Sequence, residues 1–171
     1  MGSGVSTRAN PTDGVGGTNA TRVTLRPATP EDCRQVWLWR NDEGTRAASF
    51  DTSPISFETH ERWFHASLQH RDRHVYIVLV DGQEAGVVRL DVAGARGIVN
   101  IHLAPEWRGR GVGPRTLAAL EDVAFGSLHL TRMEAEVKAG NAASLAAFQK
   151  VGFTLVGGES VLNLVKVRRE A

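Results

Sequence analysis

Residues 98–126 constrain the fold more than any other stretch, because three patterns of different period follow one another there. In "IVNIHLA" (98–104), apolar residues alternate with Asn100 and His102, which is typical of a strand with one apolar face. The next stretch, "PEWRGRGVG" (105–113), holds three glycines and two arginines, and glycine weakens both helices and strands. "PRTLAALEDVAFG" (114–126) then has the apolar spacing of a helix. A loop between a strand and a helix predicts an anion site, because the first amides of a helix lack internal partners.

The rest of the chain predicts further strands and helices around this unit. Strands are predicted at "RVTLRPA", in two runs joined at Asp81-Gly82, at "IVNIHLA", at "LTRMEAEVKA", and in two runs joined at Gly157-Gly158. Helices are predicted from Thr29 to Asn41, over 53–69 with Ser56 as the cap, from Pro114, and from the cap Asn141 to Gly152. A late strand-helix-strand unit needs a crossover, which favours parallel pairing. We therefore expect a single α/β (α+β) domain whose mixed central sheet of about seven strands has helices on both faces.

Composition narrows the classes of partner and location. The net charge of +1 gives no reason to expect nucleic acid or an anionic membrane as a partner, and no apolar run reaches transmembrane length. Cys33 is the single cysteine, so we expect a cytoplasmic protein in which Cys33 is a small buried residue. Residues 1–21 are rich in Gly, Ser, Thr and Asn and are predicted to be a disordered tail before a domain over 22–171. No metal site is predicted.

Residues 108–113, here called the arginine-glycine loop, predict a phosphate site. Glycines let consecutive amides face one anion, and arginines add charge in a forked geometry. The added charge would come from Arg108, Arg110 and Arg115. A P-loop is excluded because Pro114 follows Gly113, and the dinucleotide fingerprint lacks its third glycine. Since proline fits the first turn of a helix, we expect the helix to begin near Pro114 and the donors to be the amides from Gly109 to Gly113. A solvated basic turn is the alternative.

Two blocks of the sequence resemble the acetyl-coenzyme A motifs of the GNAT superfamily of N-acetyltransferases. "VNIHLAPEWRGRGVGPRTLAAL" contains the pattern R/Q-x-x-G-x-G/A as Arg108, Gly111 and Gly113. "VKAGNAASLAAFQKVGF" resembles the second block of the family, with Asn141, Ser144, Gly152 and Phe153 in place. The resemblance extends over about residues 22–168 and implies the GNAT fold, in agreement with the predicted order of elements.

The resemblance implies that acetyl-coenzyme A lies in a splay between the "IHLA" and "MEAEV" strands and that a primary amine attacks its thioester directly. The pyrophosphate would contact the arginine-glycine loop, and the pantetheine arm would pair with the backbone near Leu103 and Ala104. The helix after Asn141 would contribute further contacts. Cofactor contacts are therefore expected at Leu103, Ala104, Arg108, Gly109, Arg110, Gly111, Val112, Gly113, Arg115, Asn141, Ser144 and Phe148.

The catalytic groups follow the family pattern only in part. The family often has a tyrosine as general acid where this chain has Phe148, which cannot donate a proton, so the thiolate would leave unprotonated or water would protonate it. His102 is the first candidate for the general base, with Asn100 beside it to hold a relay water. Glu136 on the neighbouring strand is the second candidate. Glu134 lies two positions before it and therefore faces the same side of the sheet. Structural roles for these side chains and an acceptor that arrives neutral remain alternatives.

The early helices predict the acceptor side of the site. "WLWRND" (37–42) and "ISFETHERWF" (55–64) resemble the branch that acetylates nucleotide-linked amino sugars, such as the pseudaminic acid pathway enzymes, and the first also resembles ribosomal-protein N-terminal acetyltransferases. Acceptor contacts are expected at Trp39, Arg40, Asn41, His60 and Trp63, with core packing and helix capping as alternatives. The expected acceptor is a small amine, and a nucleotide-linked amino sugar is the preferred candidate. A protein N-terminus, a non-catalytic acetyl-coenzyme A-binding module and a homodimer remain open.

Overall fold

The computed structural model describes residues 21–170, so the tail predicted over 1–21 lies outside the described residues except for Thr21. The strands are β1 (Val23–Pro27), β2 (Arg73–Val80), β3 (Gln83–Ala93), β4 (Arg96–Leu103), β5 (Arg132–Lys138), β6 (Thr154–Gly158) and β7 (Val161–Val167). The helices are α1 (Cys33–Asn41), α2 (Glu43–Ala48), α3 (Phe57–Gln69), α4 (Val112–Glu121) and α5 (Ala142–Lys150). Single 3-10 turns at Pro30–Asp32 and Pro105–Trp107 precede α1 and the arginine-glycine loop, and a π-helical turn at Asp122–Ser127 extends α4.

The seven strands within residues 21–170 belong to one mixed sheet in the order β1-β2-β3-β4-β5-β7-β6. Every neighbouring pair is antiparallel except β4 and β5, which are parallel because α4 makes the crossover between them. Their pairing joins only Arg96–Ile98 to Arg132–Glu134. Beyond these residues β5 pairs with β7 alone, so a gap opens between β4 and β5. The predicted α/β fold, the number of strands and the parallel crossover are confirmed.

Helices cover both faces of the sheet, as predicted. On one face, α4 and α5 pack against β3 and β4 in a core that includes Val88, Leu90, Leu117, Leu120 and Phe148. On the other face, α1 and α3 pack in a smaller core that includes Cys33, Val36, Trp39, Phe64 and Ile77. Each buried side chain of this size contributes about 1.5–3 kcal/mol, so both layers are held by apolar burial. Among residues 21–170, no helix is both long and apolar enough to cross a bilayer.

Local signals in the sequence account for most element ends. The β2–β3 hairpin turns at Asp81 and Gly82, whose φ angles of 48° and 82° match the turn that asparagine or aspartate followed by glycine favours. Ser56 caps α3 by accepting the Thr59 N–H at 3.2 Å. Asn141 caps α5 in the same way through an amide 3.1 Å from its Oδ1. The predicted caps and this hairpin are therefore confirmed.

The structure adds one helix that was not predicted and corrects two boundaries. The short helix α2 was not predicted, because six residues are too few to show a helical period; Asp42 caps it by accepting the Thr45 N–H at 3.0 Å. Helix α4 begins at Val112 rather than at Pro114, because Gly111 takes a left-handed φ of 74° and serves as the N-cap. The last hairpin turns at residues 159–160, and the two glycines predicted for the turn lie at the end of β6.

Candidate active site

Two cavities meet at the gap between β4 and β5. The first, the loop groove, has a volume of about 450 Å³ and lies between the arginine-glycine loop, α2 and α5. The second, the inner cavity, has a volume of about 470 Å³ and lies between the sheet and the segment from α1 to α3. The two share walls at Ala48, Ile101, His102, Asn141, Ser144 and Phe148. A molecule in one cavity therefore reaches a molecule in the other at the gap.

The loop groove has the chemistry of a phosphate site. Gly109 and Gly111 both have left-handed φ angles, 70° and 74°, which only glycine adopts without strain. The amides that begin α4 have no partner inside the helix and carry its partial positive charge. Gly113 faces α5, and a Cβ there would lie 3.6 Å from Ala147 Cβ, which is an ordinary contact, so packing alone does not require glycine at this position. Within residues 21–170, the groove is lined by two cationic side chains, Arg108 and Lys150, and by no acidic one.

Arg108 is held against α2 and lines the groove. Its guanidinium donates to Asp42 Oδ2 at 2.6 Å and to Thr45 Oγ1 at 2.9 Å, and its Nε donates to the Leu103 carbonyl at 3.2 Å. A group with three protein acceptors has limited capacity left for a phosphate. Arg108 therefore joins the loop groove to the α1–α2 junction in addition to supplying charge.

The other two arginines predicted for phosphate contact point elsewhere. Arg110 stacks on Trp107 with 5.3 Å between its Cζ and the ring centroid. Arg115 is exposed and donates to the Thr21 carbonyl at 3.0 Å. Neither side chain lines the groove in this structure, and the phosphate contacts predicted for both stay predictions. Backbone amides are left as the main donors of the loop.

At the edge of β4, the backbone N–H of Leu103 is available to a ligand, whereas the Leu103 carbonyl already accepts from Arg108 Nε at 3.2 Å. The Ala104 N–H donates to the Ala85 carbonyl at 2.8 Å, and its carbonyl accepts the Trp107 N–H at 3.0 Å. Both backbone groups of Ala104 thus have partners within the protein, and the ligand contact predicted for Ala104 stays a prediction. Since backbone groups alternate along a strand, those of Leu103 face the gap. This arrangement leaves the prediction for Leu103 in place.

The sheet side of the inner cavity is polar. Asn100 and His102 project from β4, and Asn100 is in register with Arg89 of β3. Arg89 donates from Nε to Asp91 Oδ2 at 2.9 Å and lies over the Trp63 ring with its Cζ 5.4 Å from the centroid. Sequence reasoning missed Arg89, although its parity in "VVRLDV", opposite to the apolar core positions, marks it as facing the other side of the sheet.

Arg40 lines the inner cavity from α1. Its Nη2 donates to the backbone carbonyl of Asp51 at 3.3 Å. Its Nη1 is buried and has no hydrogen-bond partner among residues 21–170. A buried donor without a partner costs free energy, and such a group is a common mark of a ligand site.

His102 lies at the junction of the two cavities, where its surroundings disfavour the imidazolium. Burial, with the positive charges of Arg40, Arg89 and Arg108, lowers the pKa of His102 to about 4. The imidazole is therefore neutral at neutral pH and can accept a hydrogen bond. A pKa this low makes the free imidazole a weak base at neutral pH, and the role of His102 as the general base stays a prediction.

The remaining acceptor-side residues divide between cavity and core. His60 lines the inner cavity, and burial lowers its pKa. Trp63 also lines the cavity. Trp39 is only 6% exposed and packs in the core instead, so the prediction that it stacks on a substrate is wrong. Asn41 does not line the cavity. It fixes the segment between α2 and α3 through two hydrogen bonds to the backbone of Ile55, at 2.7 and 2.8 Å.

The far wall of the junction comes from β5 and α5. Phe148 is 3% exposed and packs edge-on against Phe153 with 5.0 Å between centroids, so its ring closes the wall and supplies no proton. Glu136 lines the inner cavity and is exposed. Glu134 pairs with Arg96 and Arg132 and does not line the cavity, which leaves Glu136 as the carboxylate of β5 at the site.

Comparison with known proteins gives a family for this arrangement. Residues 22–154 match the family described as the acetyltransferase (GNAT) domain. The chain is 31% identical over 148 residues to the L-methionine sulfoximine/L-methionine sulfone acetyltransferase of Pseudomonas paraeruginosa, which covers 79% of this chain and 82% of that protein. It is 25% identical over 142 residues to the spermidine N(1)-acetyltransferase of Escherichia coli (strain K12), covering 81% of this chain and 76% of the relative.

Solved structures share the fold. The spermidine N-acetyltransferase from Vibrio cholerae, in complex with coenzyme A and spermine, aligns with a TM-score of 0.77 at 20% identity over 85% of this chain and 95% of that chain. An aminoglycoside acetyltransferase in complex with coenzyme A aligns with a TM-score of 0.78 at 18% identity over 86% and 95%. These relatives do not support the finer resemblance to pseudaminic acid pathway or ribosomal-protein enzymes. The chain belongs to the GNAT family and is an acetyl-coenzyme A-dependent N-acetyltransferase.

Proposed function

We propose that this protein acetylates a small primary amine that enters the inner cavity and attacks through the gap between β4 and β5. The observation that carries this proposal is the meeting of the two cavities at His102 and Phe148. One cavity has the donors for a phosphate and the other has the polar wall for an acceptor. The named activities of the relatives, on an amino acid analogue and on a polyamine, support a small acceptor.

The loop groove holds the cofactor in this proposal. Amides from Gly109 to Gly113 donate to the pyrophosphate, and the backbone N–H of Leu103 donates to the pantetheine arm. Asn141 and Ser144 flank the arm where the cavities meet. Acetyl-coenzyme A, when bound, supplies an acetyl thioester at the gap.

The proton of the acceptor is removed before attack. A primary ammonium has a pKa of about 10 in water, so most of the acceptor arrives charged. The arginine charges that lower the pKa of His102 disfavour an ammonium at the junction in the same way. Neutral His102 accepts a hydrogen bond from the amine and orients its lone pair, while the proton leaves through water held by Asn100 or to Glu136 at the exposed side of the cavity.

The leaving thiolate needs no acid from Phe148. An ordinary thiol has a pKa of about 8.5, so a thiolate is a tolerable leaving group that water protonates afterwards. The ring of Phe148 then acts as a wall that excludes water from the reacting atoms.

The cover of the inner cavity favours a small acceptor over a protein N-terminus. Residues 48–51 and Ile55 line the cavity on the side away from the sheet, and Asn41 holds Ile55 in place. An extended peptide needs an open groove with backbone partners, which this cover obstructs.

The test is the release of free coenzyme A from acetyl-coenzyme A with a panel of primary amines. Cys33 is the only cysteine and is 5% exposed, so the protein itself adds little thiol signal, and Cys33→Ser removes the rest. We expect amine-dependent thiol release that Gly113→Trp abolishes by filling the loop groove. Tight binding of acetyl-coenzyme A without release for any amine would establish a binding module instead.

A further inference from the structure

We infer that the acceptor carries a carboxylate, as an amino acid does, and that Arg40 binds this carboxylate inside the cavity. The inference rests on the proposed function and adds the chemical class of the acceptor. The first observation is the buried Nη1 of Arg40, which has no hydrogen-bond partner in residues 21–170 and belongs to a side chain that lines the cavity. A carboxylate oxygen is the acceptor that a guanidinium nitrogen pairs with best.

A second cation reinforces the first. Arg89 lines the same cavity, and its carboxylate partner Asp91 also accepts from Arg73 at 2.7 Å. One carboxylate is thus shared between two guanidinium groups. The inner wall formed by Arg40 and Arg89 is left with positive charge that a bound anion would balance.

Two carboxylates line the cavity, and the charge of Arg40 contributes, after the hydrogen bonds of Ser53, to lowering the pKa of Asp51. Asp51 and Glu136 are exposed, and the carboxylate of Asp51 already accepts the Ser53 N–H at 2.9 Å. A polyamine needs carboxylates along its whole length, and here its inner end would meet Arg40 and Arg89. The charge distribution therefore favours an amino acid over a polycation.

The position of Arg40 relative to the junction fits an amine close to the carboxylate. Arg40 is near enough to His102 for its charge to help lower the pKa of that imidazole. A carboxylate on Arg40 would thus lie near the gap where the amine must attack. The α-amino group of an amino acid is attached to the carbon next to its carboxylate, so it is the amine that such binding would hold nearest to Arg40.

The experiment compares acceptors that differ only in the carboxylate. A panel of amino acids is assayed by thiol release beside the primary amide and the decarboxylated amine of each, with spermidine added. We expect amino acids to be acetylated with kcat/KM at least about tenfold above their amides, the ratio that a charge-assisted hydrogen bond of this kind gives. Turnover of the amides, decarboxylated amines or spermidine as good as that of the acids would overturn the inference and leave the proposed function intact. No turnover with any amine would contradict both.

Variants test whether Arg40 binds the carboxylate of the acceptor. Arg40→Gln should lose at least about tenfold in kcat/KM for the amino acid and leave the amide unchanged, while Arg40→Lys retains part of the preference. The matched control is Arg62→Gln, which removes an exposed arginine of α3 that does not line the cavity. The affinity for acetyl-coenzyme A, measured in parallel, shows that each variant is folded. An equal loss for acid and amide in Arg40→Gln would assign Arg40 a structural role through Asp51 and refute the inference.

Discussion

The neutral state of His102 predicts a specific dependence of stability on pH. Its pKa is about 4 in the folded protein and about 6.5 in the unfolded chain. As pH falls, the unfolded chain binds the proton first, so the contribution of His102 to stability is complete above its unfolded pKa and is lost as pH falls towards its folded pKa. Between about pH 7.5 and about pH 5 the loss is at most about 2 kcal/mol, since the ring stays partly exposed to water.

Urea denaturation at both pH values measures this loss when the wild type is compared with His102→Gln, which cannot titrate. We expect the free energy of unfolding of the wild type to fall by more than that of the variant, with a difference of up to about 2 kcal/mol. The comparison cancels the contributions of carboxylates and of His60, whose pKa burial also lowers. Equal losses in the two proteins would refute the argument that the arginines and burial hold His102 neutral.

Three further substitutions test other parts of the site. Phe148→Tyr places a hydroxyl at the junction; because the thiolate leaves without an acid, we expect kcat for thiol release to stay close to wild type, and a several-fold gain would show that a missing acid limits turnover. Asn41→Ala removes both hydrogen bonds to Ile55, so urea denaturation should show a loss of about 1–3 kcal/mol in the free energy of unfolding. The acceptor KM should rise as well. An unchanged KM would show that these hydrogen bonds do not affect the cavity. Gly111→Ala forces alanine into a left-handed φ at a cost of about 1–2 kcal/mol and should weaken acetyl-coenzyme A binding measured by titration calorimetry. The control is Gly126→Ala, because Gly126 has no left-handed φ and no neighbour within 4 Å of an added Cβ. Equal affinities in the two variants would contradict the role of the loop.

The sequence predicts those parts of the fold that depend on short-range patterns. The alternation in β4, the caps Ser56 and Asn141 and the turn at Asp81 each involve residues within four positions of one another, so a single sequence contains the whole signal. The arginine-glycine loop belongs to the same class, because the left-handed φ of Gly109 is a local property.

The candidate site was predicted less well because its contacts join distant segments. Arg108 is 66 residues from Asp42 in sequence, and no local pattern shows that its guanidinium faces α2. Trp39 and Trp63 carry the same chemical expectation, yet the first packs between α1 and the sheet and the second lines the inner cavity. Arg89 reaches the site only because the β3–β4 register sets it beside Asn100, and register is a long-range property.

The charges around His102 couple acceptor binding to proton transfer. The positive charge of Arg40 is one of the causes that lower the pKa of His102, so an acceptor carboxylate on Arg40 would cancel part of that charge. We expect the pKa of His102 to rise when such an acceptor is bound, which would make the imidazole a better proton acceptor only in the complex that reacts. Proton NMR titration of His102, with and without an amino acid that is a substrate, measures this shift. A pKa that stays near its free value with the acceptor bound would mean that the imidazole only orients the amine and that the proton leaves by way of water or Glu136.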